Sequence, residues 1–195
     1  MRRTALLSFA VALMLAAAPW ASAAIEVAGV SFADQARVGD SDLQLNGAGV
    51  RAKFIFKVYA MGIYVAQKQG SAAELLATKG AKRIQIVCLL DLPGEDFAKA
   101  LVAGIEKNYS GAQLAQLKAR SDALQQTILA LKLAPKGSLI QLDWLPGVGT
   151  RLLFNGDKRG EDYPGEDFYQ ALLNIWLGEH PAAQDLKEAL LGKKG

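Results

Sequence analysis

The sequence predicts an α+β fold, a large and mainly antiparallel sheet with helices packed on one side. Three observations carry that prediction. Runs rich in Val, Ile, Phe and Tyr stand in both halves of the chain, bounded by Gly, Asn, Asp and Pro. Between and after them lie stretches with apolar residues at three- and four-residue spacing, the mark of amphipathic helices. Nothing alternates strand and helix strictly enough for a doubly wound parallel sheet.

The elements follow in order. Ala24 to Phe32 and Leu43 to Leu45 read as short strands around a polar turn at Gly39-Asp40-Ser41-Asp42. Asn46-Gly47-Ala48-Gly49 reads as a glycine-punctuated turn, and Val50 to Val65 as a long strand or a hairpin. Ser71 caps a short helix over Ala72 to Lys79. Lys82 to Leu90 is too continuously apolar for a strand with a fully solvated face. Pro93, Glu95 and Asp96 suit a first helical turn, with Phe97, Leu101 and Ile105 in register behind them. Ser110 to Leu133 carries a stripe of Leu114, Leu117, Leu124, Ile128 and Leu131, with Ser121 in the missing position. Leu145-Pro146-Gly147 joins two strands, Ser138 to Trp144 and Val148 to Asn155, and Asn155-Gly156-Asp157 signals a further turn. Asp167 to Leu177 and Pro181 to Leu191 close the chain as two helices.

Residues 1–23 stand apart. Arg2 and Arg3 precede an apolar run from Ala5 to Ala18, and Ala21-Ser22-Ala23 forms a small-x-small cleavage site. That pattern is a secretory signal peptide, which predicts export across the inner membrane, a periplasmic location, and one domain over residues 24–195. No membrane segment is expected after cleavage. Without Arg2 and Arg3 the 22 basic residues fall to 20 against 19 acidic ones, a formal charge of +1. The basic balance therefore gives no reason to expect a nucleic-acid or an anionic-membrane partner. Cys88 is the single cysteine, so the exported domain has no intrachain disulfide, and its apolar surroundings mark it as a core residue.

Catalytic and metal chemistry find little support. There is one histidine, His180, in a Gly-Glu-His-Pro loop setting, and no short motif pairs it or Cys88 with carboxylates at ligand spacing. No metal and no cofactor is expected. The acidic pairs Glu161-Asp162 and Glu166-Asp167 lie among Gly and Pro and read as a solvated loop and a helix start. Arg51, Tyr59 and Tyr64 remain, with Lys53 and Lys57 near them. One reading makes a guanidinium and phenol hydroxyls the anchor for a carboxylate at the mouth of an apolar cleft. The other pairs Arg51 with a surface Asp or Glu while the tyrosines cover the edge of the core. On one straight strand Arg51 and Tyr59 would stand about 26 Å apart, at about 3.3 Å per residue. They can share a ligand only if the chain reverses between them, and no Gly or Pro marks a turn from Ala52 to Val58.

The blocks Asn46-Gly47-Ala48-Gly49-Val50-Arg51 and Phe56-Lys57-Val58-Tyr59-Ala60-Met61-Gly62-Ile63-Tyr64 resemble the signature of the chalcone isomerase-like superfamily. Asn174 to Pro181 and Asp185 to Gly192 resemble the C-terminal end of its bacterial members. The resemblance implies an open-faced sandwich with a cleft between sheet and helices. It covers enzymes that cyclise chalcones and non-catalytic relatives that bind fatty acids, and in both the arginine matching Arg51 contacts the ligand. In the fatty-acid binders a tyrosine matching Tyr59 helps hold the carboxylate. Phe97 and Gly104 stand where the isomerases carry a tyrosine and an asparagine, so the groups that assist ring closure are missing. The expectation is a non-enzymatic protein that binds a fatty acid or similar amphiphilic carboxylate through Arg51, Tyr59 and Tyr64. The alternatives are an isomerase or lyase using Arg51 on an unsaturated or phenolic substrate, and an envelope scaffold with a filled cleft.

Overall fold

A seven-stranded antiparallel sheet dominates the computed structural model, which describes residues 24–193. The predicted signal peptide lies outside the described residues. The chain begins with a separate hairpin of β1 (Ala24–Val27) and β2 (Val30–Ala33). It then lays down β3 (Gln35–Val38), β4 (Ser41–Lys53) and β5 (Phe56–Val65) as consecutive antiparallel neighbours. After the short helix α1 (Ala72–Ala77), β6 (Lys82–Cys88) pairs with β5. A two-residue strand β7 (Leu92–Pro93) leads into α2 (Gly94–Asn108) and α3 (Gly111–Ala130), and β8 (Leu133–Ala134) returns to pair with β7. The sheet is completed by β9 (Leu139–Leu145), β10 (Gly149–Phe154) and β11 (Asp157–Tyr163), in the spatial order β11-β10-β9-β6-β5-β4-β3. Finally, α4 (Glu166–Leu177) and α5 (Gln184–Leu190) close the chain.

The two faces of the sheet have different cores. Met61, Ile63, Ile84, Ile86, Ile140 and Leu142 face the helices and pack with Phe97, Leu101 and Ile105 of α2 and with Phe168, Leu172 and Trp176 of α4. The opposite face carries a smaller cluster of Phe32, Leu43, Leu45, Ala60 and Tyr64, roofed by the β1–β2 hairpin. The stripe predicted for α3 buries Leu117, Ser121, Leu124 and Ile128, so Ser121 does occupy the position the Leu pattern leaves open. Ser71 caps α1 by accepting from the Glu74 N–H.

Two predictions need correcting. Asn46 to Gly49 is not a turn but the middle of the 13-residue strand β4. The glycines are there because α5 lies directly on that strand: a Cβ on Gly47 would overlap the Ala189 carbonyl oxygen, and one on Gly49 would come within 2.7 Å of the Ala189 Cβ. Asn46 is the extra residue of a β-bulge in the register between Leu45 and Gly47. Its amide donates to the Leu190 carbonyl at 2.8 Å and to the Gln69 carbonyl, while its oxygen accepts from the Gln69 N–H. The second correction concerns Glu161 and Asp162, which belong to the polar edge strand β11 rather than to a loop. Asp162 forms a two-point ion pair there with Arg151 on β10. Glu166 and Asp167 do open α4.

Candidate functional site

The reversal that Arg51 and Tyr59 require is present. Strands β4 and β5 form a hairpin whose two-residue loop is Phe54-Ile55, and Arg51 stands directly opposite Tyr59 in the ladder. Such partners hold their Cβ atoms about 5 Å apart, against the 26 Å of a straight strand. A second bulge makes this pairing: Arg51 pairs with Tyr59 but Ala52 pairs with Lys57, so Val58 is the extra residue. The freed Val58 carbonyl accepts the Leu89 N–H at 2.9 Å. Bulges bend a strand and re-aim its side chains, and this one lies at the rim of a cavity.

The cavity measures about 550 Å³, within the usual range for small-molecule sites. Arg51, Lys53, Val58 and Tyr59 form its sheet side, with Leu90 to Pro93 at one end. Along α2, Asp96, Phe97, Lys99, Ala100, Gly104 and Lys107 line the other wall, and Ile175, Trp176, His180 and Ala182 close the far side. Phe97 and Gly104, the two positions where the resemblance marks a departure from the isomerases, both face this space. A Cβ at Gly104 would come within 2.7 Å of Ile175, so even an alanine would displace the cavity wall.

Arg51 is half-buried, and its guanidinium donates to the carbonyl of Ala52. The other arginines of the described residues all meet carboxylates: Arg37 meets Asp42 at 3.2 Å, Arg83 meets Asp143 at 2.6 Å and Arg120 meets Asp167 at 2.7 Å. Arg151 and Arg159 meet Asp162 and Asp157. Among the described residues, Arg51 is the one arginine with no carboxylate partner. The surface-pair reading of Arg51 therefore finds no partner here.

Tyr59 is buried, and its hydroxyl oxygen accepts the indole N–H of Trp176 at 2.8 Å. With an acceptor position occupied, the phenol proton is left to donate. Burial pushes the Tyr59 phenol up to about 12, against the opposing pull of the Trp176 hydrogen bond and the Arg51 charge, so it stays a neutral donor at ordinary pH. Trp176 is a site residue that sequence reasoning missed. Its apolar helix setting signals only core, and nothing in the local sequence says where its single donor points. Tyr64 is on the other side of the sheet. It is 1 % exposed, packs in the Phe32 cluster, and lies outside the cavity lining.

Neither Cys88 nor His180 looks chemically poised. Cys88 is buried, and desolvation pushes its thiol up to about 11. His180 sits in the loop after α4, its backbone N–H donating to the Asn108 side chain. Among the described residues no three His, Cys, Asp or Glu side chains gather as a metal site, and no helix is long and apolar enough to cross a membrane.

Fold and site together define an antiparallel sheet backed by helices, with a ligand-sized cleft between them. The chain belongs to the chalcone isomerase-like family, whose sequence model matches residues 24–192. Among solved structures it is similar to a fatty-acid binding protein of Arabidopsis thaliana, at 18 % identity and a TM-score of 0.62, over 84 % of this chain and 92 % of that one. That likeness is one of fold. No curated protein sequence matches the chain significantly.

Proposed function

We propose that this protein is a non-enzymatic binder of a fatty acid or a similar amphiphilic carboxylate, exported by its signal peptide and working in the periplasm. The observation that carries the reading is Arg51, whose guanidinium lies at a cleft with no carboxylate of the described chain to meet it, beside a buried phenol with a proton to donate. A half-buried cation without a counter-charge is costly, and a ligand carboxylate relieves that cost. The apolar lining from Val58, Leu92, Phe97, Leu101 and Ile175 suits a hydrocarbon tail. The fatty-acid binding protein of the same fold supports the ligand class. A cleft of about 550 Å³ argues against the filled-cleft scaffold, and Phe97 and Gly104 offer no hydroxyl or amide for isomerase chemistry.

The charge-assisted contact would contribute about 1.5–3 kcal/mol, with about 0.8 kcal/mol for each buried CH₂ of the tail. The test compares a fatty acid with its matching alcohol by titration calorimetry. Arg51→Ala is expected to weaken the acid roughly ten- to a hundredfold and leave the alcohol nearly unchanged. Equal losses for both ligands would remove Arg51 from the carboxylate site.

A further inference from the structure

The β4–β5 hairpin ends in a feature that cleft binding does not use. Phe54 is 90 % exposed, Ile55 88 % and Phe56 61 %, and these three consecutive residues form the apolar tip of the hairpin. The other exposed large apolar residues among those described, Ile25, Leu133 and Val148, stand singly and are 43–50 % exposed. Lys53 and Lys57 flank the tip, and Lys53 also lines the cleft.

Local chemistry makes the tip more unusual. A two-residue hairpin loop favours Asn-Gly or Gly at the positions that need positive φ. Here Phe54 takes φ +56°, a left-handed conformation that bulky side chains rarely adopt. The loop thus accepts backbone strain and shows two large apolar side chains to water. Neither choice helps the fold, and a contiguous exposed apolar patch marks an interaction surface.

We propose that the Phe54-Ile55-Phe56 tip is a wedge that enters the interface of an anionic lipid bilayer, with Lys53 and Lys57 on the headgroups, and so seats the cleft mouth against the membrane. Apolar side chains projecting past a basic collar match the layering of a bilayer surface, hydrocarbon beneath phosphate. The cleft rim continues the basic character with Arg51, Lys99 and Lys107 against Asp91 and Asp96, and Asp91 is already engaged by the Lys136 N–H. The inference stands whatever ligand the cleft takes.

The test uses residues 24–195, which carry both cores and every element described above, in co-sedimentation with vesicles of phosphatidylcholine alone or mixed with phosphatidylglycerol. The protein is expected to bind the mixed vesicles more tightly, and less tightly as salt rises. Phe54→Asn with Ile55→Gly installs a favoured hairpin turn while removing the two most exposed of the wedge's three apolar side chains. That double variant should lose at least about tenfold in partitioning, with melting temperature maintained or raised and cleft ligand affinity unchanged. Lys57→Gln should cost about fivefold on mixed vesicles and little on neutral ones. Absence of wild-type binding to either vesicle would overturn the proposal, as would a double variant that binds as well as wild type. A self-associated wild type that the double variant dissociates, with no vesicle binding by either, would assign the tip to a second copy of the chain instead.

Discussion

Tyr59 and Tyr64 lie five residues apart on β5, both buried and both held as neutral phenols, with burial pushing each up to about 12. Their roles differ because an odd spacing on a strand puts two side chains on opposite faces. Tyr59 looks toward the helices, at the end of the sheet where α2 and α4 leave a cleft, and its hydroxyl is oriented by Trp176. Tyr64 looks the other way, into the cluster roofed by the β1–β2 hairpin. One face of the same sheet is open at its rim and the other is packed shut. The same residue type lines a cleft on one, where we propose it as a ligand anchor, and fills the core on the other.

The difference can be broken first on the packed face. Tyr64→Ala should cost about 3 kcal/mol or more of stability, read from the denaturant midpoint, because a large side chain leaves a closed core. A loss below about 1 kcal/mol would show that face to be looser than described. Next in size is Gly47→Ala, which would push α5 off β4 and cost about 1–3 kcal/mol by overpacking. On the open face, Tyr59→Phe should lower affinity for the acid by about 1 kcal/mol and also leave the Trp176 N–H without its partner, a stability loss of about 1–3 kcal/mol. Trp176→Phe, which leaves no orphaned donor, should cost less affinity than Tyr59→Phe if the phenol is the ligand donor.

The smallest effect lies at the far edge of the sheet, away from both faces. Hydrogen bonds from Arg151 hold the Asp162 carboxyl down at about 2. A depressed folded-state value means stability that is present above the unfolded carboxylate pKa, near 4, and is lost as pH falls toward 2. The acid limb of a stability–pH curve should therefore flatten in Arg151→Gln. The pair is partly solvated, so the change should stay at or below about 1 kcal/mol.

Much of the fold was legible because the periodicities are strong. The stripe of α2 and the Ser121 gap in α3 could be read directly, as could the turn at Leu145-Pro146-Gly147. The polar strand β11 could not, because Asp157 to Asp162 lacks β-prone residues and is held by pairing with β10 rather than by propensity. The site was harder. Two bulges, at Asn46 and Val58, decide which residues face the helices, and a one-residue register shift leaves no trace in local composition. The reversal at Phe54-Ile55 was hidden because the tip lacks the expected Gly or Asn. That absence is also the sign that the tip does something other than turn. By contrast, strand parity alone separates Tyr64 from Tyr59 once both are placed on one strand.

The central claim is that the open face at Arg51 holds an anionic amphiphile. Its most direct test is native mass spectrometry of the protein purified from the cells that make it, followed by denaturing extraction of what it retains. The account predicts a co-purifying long-chain carboxylate that is absent from Arg51→Ala. A wild-type protein that emerges empty and fails to take up added fatty acid would contradict it.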